Sequence, residues 1–241
     1  AQDEAKAEEK DLPEFVKNIL KPMIEQKEDD IPVSAFVDLD LENGEFPSGT
    51  TAVEKRGIAL NVPEWQIENC IQCNQCSFVC PHAVIRPFLV TEDEKANAPE
   101  GFETKKAIGK GLEEYEFRIQ VSPLDCTGCG NCADICPAPE KALLMKPFEE
   151  QVEEQKDNWE YAHEEVGYKE DVMDDQTLKG SQFKQPLLQF SGACAGCGET
   201  PYAKLVTQMF GDRMYVANAT GCSSIWGASA PAMSYTINQE S

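Results

Sequence analysis

The sequence predicts an α+β fold, with a cysteine-rich domain between an amino-terminal arm and an incomplete α/β segment. Three observations support this prediction. The pattern C-x-x-C-x-x-C-x-x-x-C-P occurs twice, at residues 70–81 and 126–137. A short apolar run follows each copy, which favours a short strand or a single turn. From Pro186 onward the composition shifts to Gly, Ala, Ser and Cys with little charge, which is typical of a separate unit.

For the amino-terminal part, residues 1–62, the sequence predicts a surface arm followed by a connector. The first dozen residues are rich in Glu and Lys, a start expected of a segment internal to a longer protein, or of a processed one. Apolar residues from Leu12 to Leu20 follow helical spacing, so we expect an amphipathic helix that ends at Pro22. Residues 31–67 combine Pro and Gly with short β-like runs, as in a connector or an edge strand.

Composition excludes several classes of function. Acidic residues outnumber basic ones 43 to 21, so the net charge is −22 and neither nucleic acid nor an anionic membrane surface is an expected partner. The sequence has no long apolar run and no signal peptide, which predicts a cytoplasmic protein without a membrane span. Its 11 cysteines should then stay reduced, and metal binding is expected before disulfides. Because the chain has only two histidines, a large metal site must use cysteine sulfur for its ligands.

The two cysteine motifs predict two 4Fe–4S clusters in a domain at residues 63–148. Two-residue spacers wrap a loop around three corners of a cubane, and the fourth cysteine, just before a proline, leaves toward the other cluster. A zinc site would use paired C-x-x-C ends, and a disulfide framework would need an oxidising compartment. The expected ligands are Cys70, Cys73, Cys76 and Cys136 for cluster one, and Cys126, Cys129, Cys132 and Cys80 for cluster two.

Two further predictions concern the segment between the motifs and the two cysteine loops. An insertion of 45 residues separates the motifs, and Tyr115–Val121 alternates within it in the manner of a strand. The second loop contains Gly128 and Gly130, which let the backbone approach its cluster closely. The first loop has Gln72, Asn74 and Gln75, which are bulkier and polar. We therefore hypothesise that the two clusters differ in reduction potential, because hydrogen bonds and exposure both set it.

The segment after the second motif is strongly acidic. Residues 149–175 contain twelve acidic residues against two basic ones. Scattered aromatic residues, such as Trp159 and Tyr168, indicate that the segment follows a surface. We expect a solvated linker over residues 149–185, because blocks of like charge repel and stay in water.

The last segment, residues 186–241, predicts the start of an α/β unit. Thr200 should cap a helix that runs from Pro201 to Phe210, and Met214–Ala217 should form a short buried strand. Three further cysteines, on glycine-rich turns, suggest a third metal site that lacks one ligand in this chain: Cys194, Cys197 and Cys222. A redox C-x-x-C pair, a three-cysteine zinc site and an unrelated buried Cys222 are the alternatives.

Four blocks of sequence resemble one known family. Residues 68–87 (ENCIQCNQCSFVCPHAVIRP) look like the cluster domain of pyruvate:ferredoxin oxidoreductase, and residues 31–50 resemble the segment before it. Residues 180–202, which include SGACAGCGETPY, and residues 217–225 (ANATGCSSI) resemble the thiamine-diphosphate-binding domain of that family. The resemblance implies a ferredoxin-like two-cluster domain with an insertion, followed by a truncated segment of thiamine-diphosphate-binding type.

The resemblance also implies a function. The family converts pyruvate, coenzyme A and oxidised ferredoxin to acetyl-CoA, carbon dioxide and reduced ferredoxin, in anaerobic metabolism. Its implied cofactors are three 4Fe–4S clusters, thiamine diphosphate and Mg, and its acceptor is ferredoxin or flavodoxin. The implied third-cluster ligands are Cys194, Cys197 and Cys222, with the fourth outside this chain. Positions implied to lie near the thiamine are Glu199, Thr220, Gly221 and Ser223.

The resemblance leaves alternatives open. The family is much longer than this chain and forms a homo-oligomer as the full enzyme, and its Mg–diphosphate motif is absent from these 241 residues. The chain alone is therefore expected to be inactive on pyruvate. A stand-alone ferredoxin-like electron carrier or adaptor subunit is one alternative. Another is a related oxidoreductase that acts on a different 2-oxoacid.

Overall fold

The computed structural model describes residues 12–228 and 232–238, and the charged stretch expected at the amino terminus lies largely outside them. Within these residues the chain forms a small α+β fold. The strands are β1 Asn61–Trp65, β2 Ile85–Val90, β3 Lys105–Lys106, β4 Glu116–Val121 and β5 Leu143–Pro147. The helices are α1 Lys21–Ile24, α2 Val33–Val37, α3 Gln75–Phe78, α4 Glu92–Ala96, α5 Asn131–Ile135, α6 Phe148–Tyr161, α7 Leu178–Ser181, α8 Thr200–Phe210 and α9 Cys222–Ala228.

Two antiparallel sheets arrange the cysteine motifs. β1 pairs with β5, with Trp65 opposite Leu143, and the second sheet has the order β2-β4-β3, with Ile85 opposite Val121. The first motif connects β1 to β2, and the second connects β4 to β5. Because β1 pairs with β5 and β2 pairs with β4, the end of each motif lies beside the beginning of the other. The strand predicted at Tyr115–Val121 is confirmed as β4.

The main core lies between the three-stranded sheet and α6. Phe88 and Phe117 are fully buried, and the Phe88 ring meets the Trp159 ring edge-on at 6.3 Å between centroids. β2 contains Pro87, which is tolerated because β2 is an edge strand and a missing N–H can face away from the ladder. The core thus forms directly behind the strands that carry the cysteine motifs.

The acidic segment is a helix and not a solvated linker. α6 continues into a π-helical turn at Ala162–Val166, and Trp159, Ala162 and Val166 are all buried in the main core. These apolar residues recur at helical spacing, so one face packs on the domain while the acidic residues stay on the outer face. The linker prediction was therefore wrong about local structure, and the domain boundaries remain predictions.

The amino-terminal arm packs a small core of its own. Its buried residues are Phe15, Val16, Ile19, Leu20 and Leu41. The predicted helix is confirmed, but Pro22 does not end it. A π-helical turn at Val16–Leu20 leads directly into α1, where Pro22 is the second residue, so the chain stays helical through the proline as far as Ile24.

The carboxy-terminal segment matches its prediction in part. The helix predicted from Pro201 to Phe210 is present as α8, but it begins at Thr200 and its cap is Glu199. Met214–Ala217 is not a strand, and Tyr215 there is fully exposed. A strand needs a neighbouring strand to bond its backbone N–H and C=O groups. Among the described residues past Pro186, the β-pairing is an isolated bridge between Leu188 and Tyr235, which does not involve Met214–Ala217. None of the described helices is long and apolar enough to cross a membrane.

Candidate metal centres

The strand pairing brings the eight motif cysteines to two cavities. One cavity is lined by three cysteines of the first motif and the last of the second: Cys70, Cys73, Cys76 and Cys136. The other is lined by three cysteines of the second motif and the last of the first: Cys126, Cys129, Cys132 and Cys80. We call them cavity one and cavity two. The two cavities are equal in size, each with about 340 Å³ of space that includes open solvent at its mouth, and none of these cysteines forms a disulfide.

The loop of cavity one is held by side-chain amides. Gln72 and Asn74 have left-handed backbone conformations, with φ of 58° and 59°. Both side chains are about 1% exposed. Gln72 Nε2 donates to the carbonyl of Lys106 at 2.8 Å, and Gln72 Oε1 accepts from the Ile108 N–H at 2.8 Å. These bonds fasten the loop to the insertion between the motifs.

The loop of cavity two is held by close backbone contact. Gly128 and Gly130 occupy the same left-handed positions, with φ of 69° and 80°. A Cβ on Gly128 would lie 2.9 Å from the carbonyl oxygen of Asn61, at the start of β1. The Gly128 N–H donates to Cys126 Sγ at 3.3 Å, so the backbone points at sulfur here. Glycine is thus favoured at this position by conformation and required by space.

The surroundings of the thiols fit a positively charged metal group. Burial raises the pKa of Cys126 to about 12, and it also raises the pKa of Cys70, Cys76 and Cys132. Such thiols keep their protons unless a cation displaces them. Metal loading at these sites must therefore release protons.

Two buried donors fit a cluster with inorganic sulfide. Trp65 Nε1, in the wall of cavity one, is buried without a full hydrogen bond but lies close enough to the Cys70 thiol to act against the rise of its pKa, and Thr127 Oγ1, in the wall of cavity two, is buried without a partner. Both groups can donate to sulfur, and hydrogen bonds to cluster sulfurs are a normal part of such sites. Over the ranges 12–228 and 232–238, no three Cys, His, Asp or Glu side chains are grouped to hold a single metal ion. Four thiols spread around a cavity instead suit a larger group.

Cys194, Cys197 and Cys222 lie near the surface. Cys194 and Cys222 are exposed, and Cys197 is half-buried. Burial raises the pKa of Cys197, but hydrogen bonds from the backbone of Thr200 and Glu199 outweigh it and leave that pKa lowered. Cys194 and Cys197 lie in the turn before α8, and Cys222 begins α9. The two regions are joined by a bond from Trp226 Nε1 to Glu199 Oε2 at 3.3 Å.

The turn that carries Cys194 and Cys197 packs against cavity two. A Cβ on Gly196 would lie 3.7 Å from the Cβ of Cys129 and from Asn131 Oδ1. On the same side, His82 Nδ1 donates to the Ser191 carbonyl at 3.1 Å, and His82 also lines cavity two. The third group of cysteines is therefore next to the second cavity.

The positions suggested for thiamine line neither cavity one nor cavity two. Glu199 caps α8 without a side-chain bond to its N–H groups and accepts from Trp226. Thr220 and Gly221 are exposed and Ser223 is half-buried. These assignments remain predictions.

Sequence reasoning missed two buried cations behind the cavities. Arg86 and Lys204 are each 2% exposed. Arg86 follows the first motif closely, but a lone Arg or Lys has no pattern that marks it as buried. Their burial depends on contacts between distant segments.

Comparisons with known proteins agree with the two cavities. A family model described as a 4Fe–4S dicluster domain matches residues 69–139, and one described as a domain of unknown function matches residues 1–59. The chain is 60% identical over 240 residues to a protein of Moorella thermoacetica named pyruvate:ferredoxin oxidoreductase, covering all of this chain and 20% of that protein.

Other relatives have related names. A pyruvate-flavodoxin oxidoreductase of Enterobacter agglomerans is 60% identical over 231 residues, which cover 96% of this chain and 19% of that protein. A protein of Cryptosporidium parvum named pyruvate dehydrogenase [NADP(+)] is 52% identical over 235 residues, which cover 96% of this chain and 12% of that protein. The chain spans about a fifth or less of these relatives' lengths, and it belongs to the pyruvate:ferredoxin (flavodoxin) oxidoreductase family.

Proposed function

We propose that this chain is the electron-transfer segment of an enzyme that oxidises pyruvate with coenzyme A and reduces ferredoxin or flavodoxin. In such an enzyme thiamine diphosphate supplies the carbon chemistry, and iron–sulfur clusters supply one-electron transfer. The observation that carries the proposal is the crossed arrangement of eight cysteines around two cavities. Two adjacent cavities of this kind suit two clusters that exchange electrons, because the short stretch between the third and fourth cysteines of each motif runs from one cavity to the other.

The proposed ligand sets follow the lining of the cavities. Cluster one is held by Cys70, Cys73, Cys76 and Cys136, and cluster two by Cys126, Cys129, Cys132 and Cys80. The third set, Cys194, Cys197 and Cys222, needs a fourth ligand from another part of the enzyme. Because the Gly196 turn packs on the Cys129 loop, a third cluster there is adjacent to cluster two. Electrons then enter this chain at cluster two and leave from cluster one.

Lysine side chains around cavity one support an exit at that end. Lys105 Nζ donates to the Cys70 carbonyl at 3.2 Å, and Lys141 Nζ donates to the Cys136 carbonyl at 2.8 Å. Lys106 and Lys179 lie beside the same loop, through the bonds that their carbonyls accept from Gln72 and Asn74. In a chain of net charge −22 this basic group suits a small acidic electron carrier, since opposite charges steer association.

The test of the crossed ligand sets compares four variants of the 241-residue chain, reconstituted without oxygen. Cys73→Ala removes a ligand of cluster one and Cys129→Ala removes a ligand of cluster two. We expect Cys136→Ala to leave the same electron paramagnetic resonance signal as Cys73→Ala, and Cys80→Ala to leave the signal of Cys129→Ala. Iron analysis should give about eight irons per wild-type chain.

Two outcomes would contradict the proposal. If Cys136→Ala matches Cys129→Ala, each motif holds its own cluster and the crossing is wrong. If the wild-type chain binds about one zinc per motif and no acid-labile sulfide, the electron-transfer role is wrong. Acetyl-CoA formation by the chain alone would overturn the separate expectation that it is inactive on pyruvate.

A further inference from the structure

Lys204, in α8, is a buried lysine without an acidic partner in the described residues. Its side chain is 2% exposed. Its Nζ donates to the carbonyl oxygen of Ser77, to that of Phe78 at 3.3 Å and to Gln182 Oε1 at 3.3 Å. All three acceptors are neutral. A buried ammonium without a counter-charge is unfavourable, so a nearby negative charge is expected.

The position of Lys204 points to the two clusters. Ser77 and Phe78 end α3 and lie in the chain between Cys76 of cavity one and Cys80 of cavity two. The ammonium therefore contacts the backbone of the short segment that joins the two cavities. Gln182 is itself held by a bond from Ser77 Oγ at 3.0 Å, which fixes the geometry around Nζ.

The charged groups around Lys204 lead to the same place. Burial lowers the pKa of Lys204 to about 8, the charges of Cys80 and Cys76 counter this effect, and Arg86 adds to it. Arg86 is also buried and bonds to neutral oxygens, among them the Ala83 carbonyl at 2.7 Å and Gln189 Oε1 at 2.6 Å. Arg86 thus cannot balance Lys204, and the nearby groups that can do so are Cys76 and Cys80, which become thiolates when they bind a cluster.

We propose that Lys204 supplies a fixed positive charge shared by both clusters, which raises their reduction potentials and stabilises their reduced forms. The inference rests on the ligand sets of the proposed function. Reduction adds one negative charge to a cluster, and a cation in a low-dielectric interior favours that change. Both clusters should feel the charge, because Lys204 Nζ contacts the carbonyls of Ser77 and Phe78, which lie in the chain between Cys76 and Cys80.

Redox titration of the full chain, followed by electron paramagnetic resonance, tests the role of the charge. In Lys204→Met, which keeps the length of the side chain without its charge, both midpoint potentials should become more negative. Lys204→Arg should stay close to wild type. The matched control is Lys184→Met, because Lys184 pairs with Asp175 at 2.9 Å near the surface and should leave both midpoints unchanged.

A second variant covers the case in which Lys204→Met loses iron. Gln182→Glu places a carboxylate beside the ammonium with almost no change in shape, and it should also move both midpoints to more negative values. Unchanged midpoints in a Lys204→Met or Gln182→Glu chain with full iron content would overturn the inference. A wild-type chain without clusters would count against the proposed function instead, so the two failures are distinguishable.

Discussion

The two cluster loops follow the same backbone path but are held in different ways. The left-handed positions are Gln72 and Asn74 in one loop and Gly128 and Gly130 in the other. For a residue with a Cβ this conformation costs roughly 1–2 kcal/mol. The first loop offsets that cost with buried amide hydrogen bonds, and the second avoids it with glycine.

This difference teaches that motif spacing sets the path of the loop but not its support. Gln72 binds the insertion, and Asn74 Nδ2 donates to the Lys179 carbonyl in α7 at 2.9 Å. The first loop is thus supported by segments far away in sequence. The second is supported by direct contact of Gly128 with β1. Different hydrogen bonds near the two clusters agree with the hypothesis of different potentials, which remains a prediction.

The largest expected effect comes from Gly128→Ala. The new Cβ would lie 2.9 Å from the Asn61 carbonyl, and backbone on both sides would have to move. We expect loss of cluster two, which is seen as a fall of iron content by about half. Gly130→Ala is the control, because nothing lies within 4 Å of its Cβ. Equal iron content in Gly128→Ala and wild type would show that the close contact with β1 does not hold the loop.

An intermediate effect is expected from Gln72→Gly, which keeps the left-handed conformation but removes both amide bonds. At about 0.5–1.5 kcal/mol for each bond, and with some strain relieved, we expect the free energy of unfolding to fall by about 1–2 kcal/mol. Urea unfolding measures this, and hydrogen exchange at the Ile108 amide should become faster. Gln72→Ala should be less stable still, because alanine keeps the strain. An unchanged exchange rate at Ile108 would exclude the proposed support.

The smallest effect is expected from Gly130→Asn, which transfers the residue of one loop to the matching position of the other. Asn tolerates the left-handed conformation better than most residues, and the space around Gly130 is open. The free energy of unfolding should change by less than about 1 kcal/mol, with both clusters retained. Loss of cluster two in this variant would mean that the second loop needs glycine for more than conformation.

Much of the site followed from cysteine spacing, because four thiols at fixed intervals restrict a loop to few shapes. The same pattern suggested that each fourth cysteine joins the other set, and Cys80 and Cys136 indeed lie in the opposite cavities. Support of the loops was harder to predict. Gln72 was noted as polar and bulky, but its partners Lys106 and Ile108 lie more than 30 residues away. Local sequence carries no signal for such a pairing.

Errors in the prediction came from reading charge and apolar runs in isolation. Residues 149–175 were expected to stay in water because of their acidic residues, yet Trp159 and Val166 anchor one helical face in the core. Met214–Ala217 has the apolar character of a buried strand but finds no strand partner in the described residues. In both cases the deciding factor was a packing surface supplied by another segment.

By itself the sequence determined the chemistry of this protein: sulfur at eight regularly spaced positions, a cluster-binding role, and the blocks that identify its family. Only the tertiary structure decided which residues surround that sulfur. Antiparallel pairing of β1 with β5 and of β2 with β4 placed each last cysteine in the opposite cavity, and the docking of α8 placed the Lys204 ammonium between the two. The physical reason is the distance along the chain over which each property is set. The spacing of the cysteines is local, whereas burial and charge compensation depend on segments that meet only after folding.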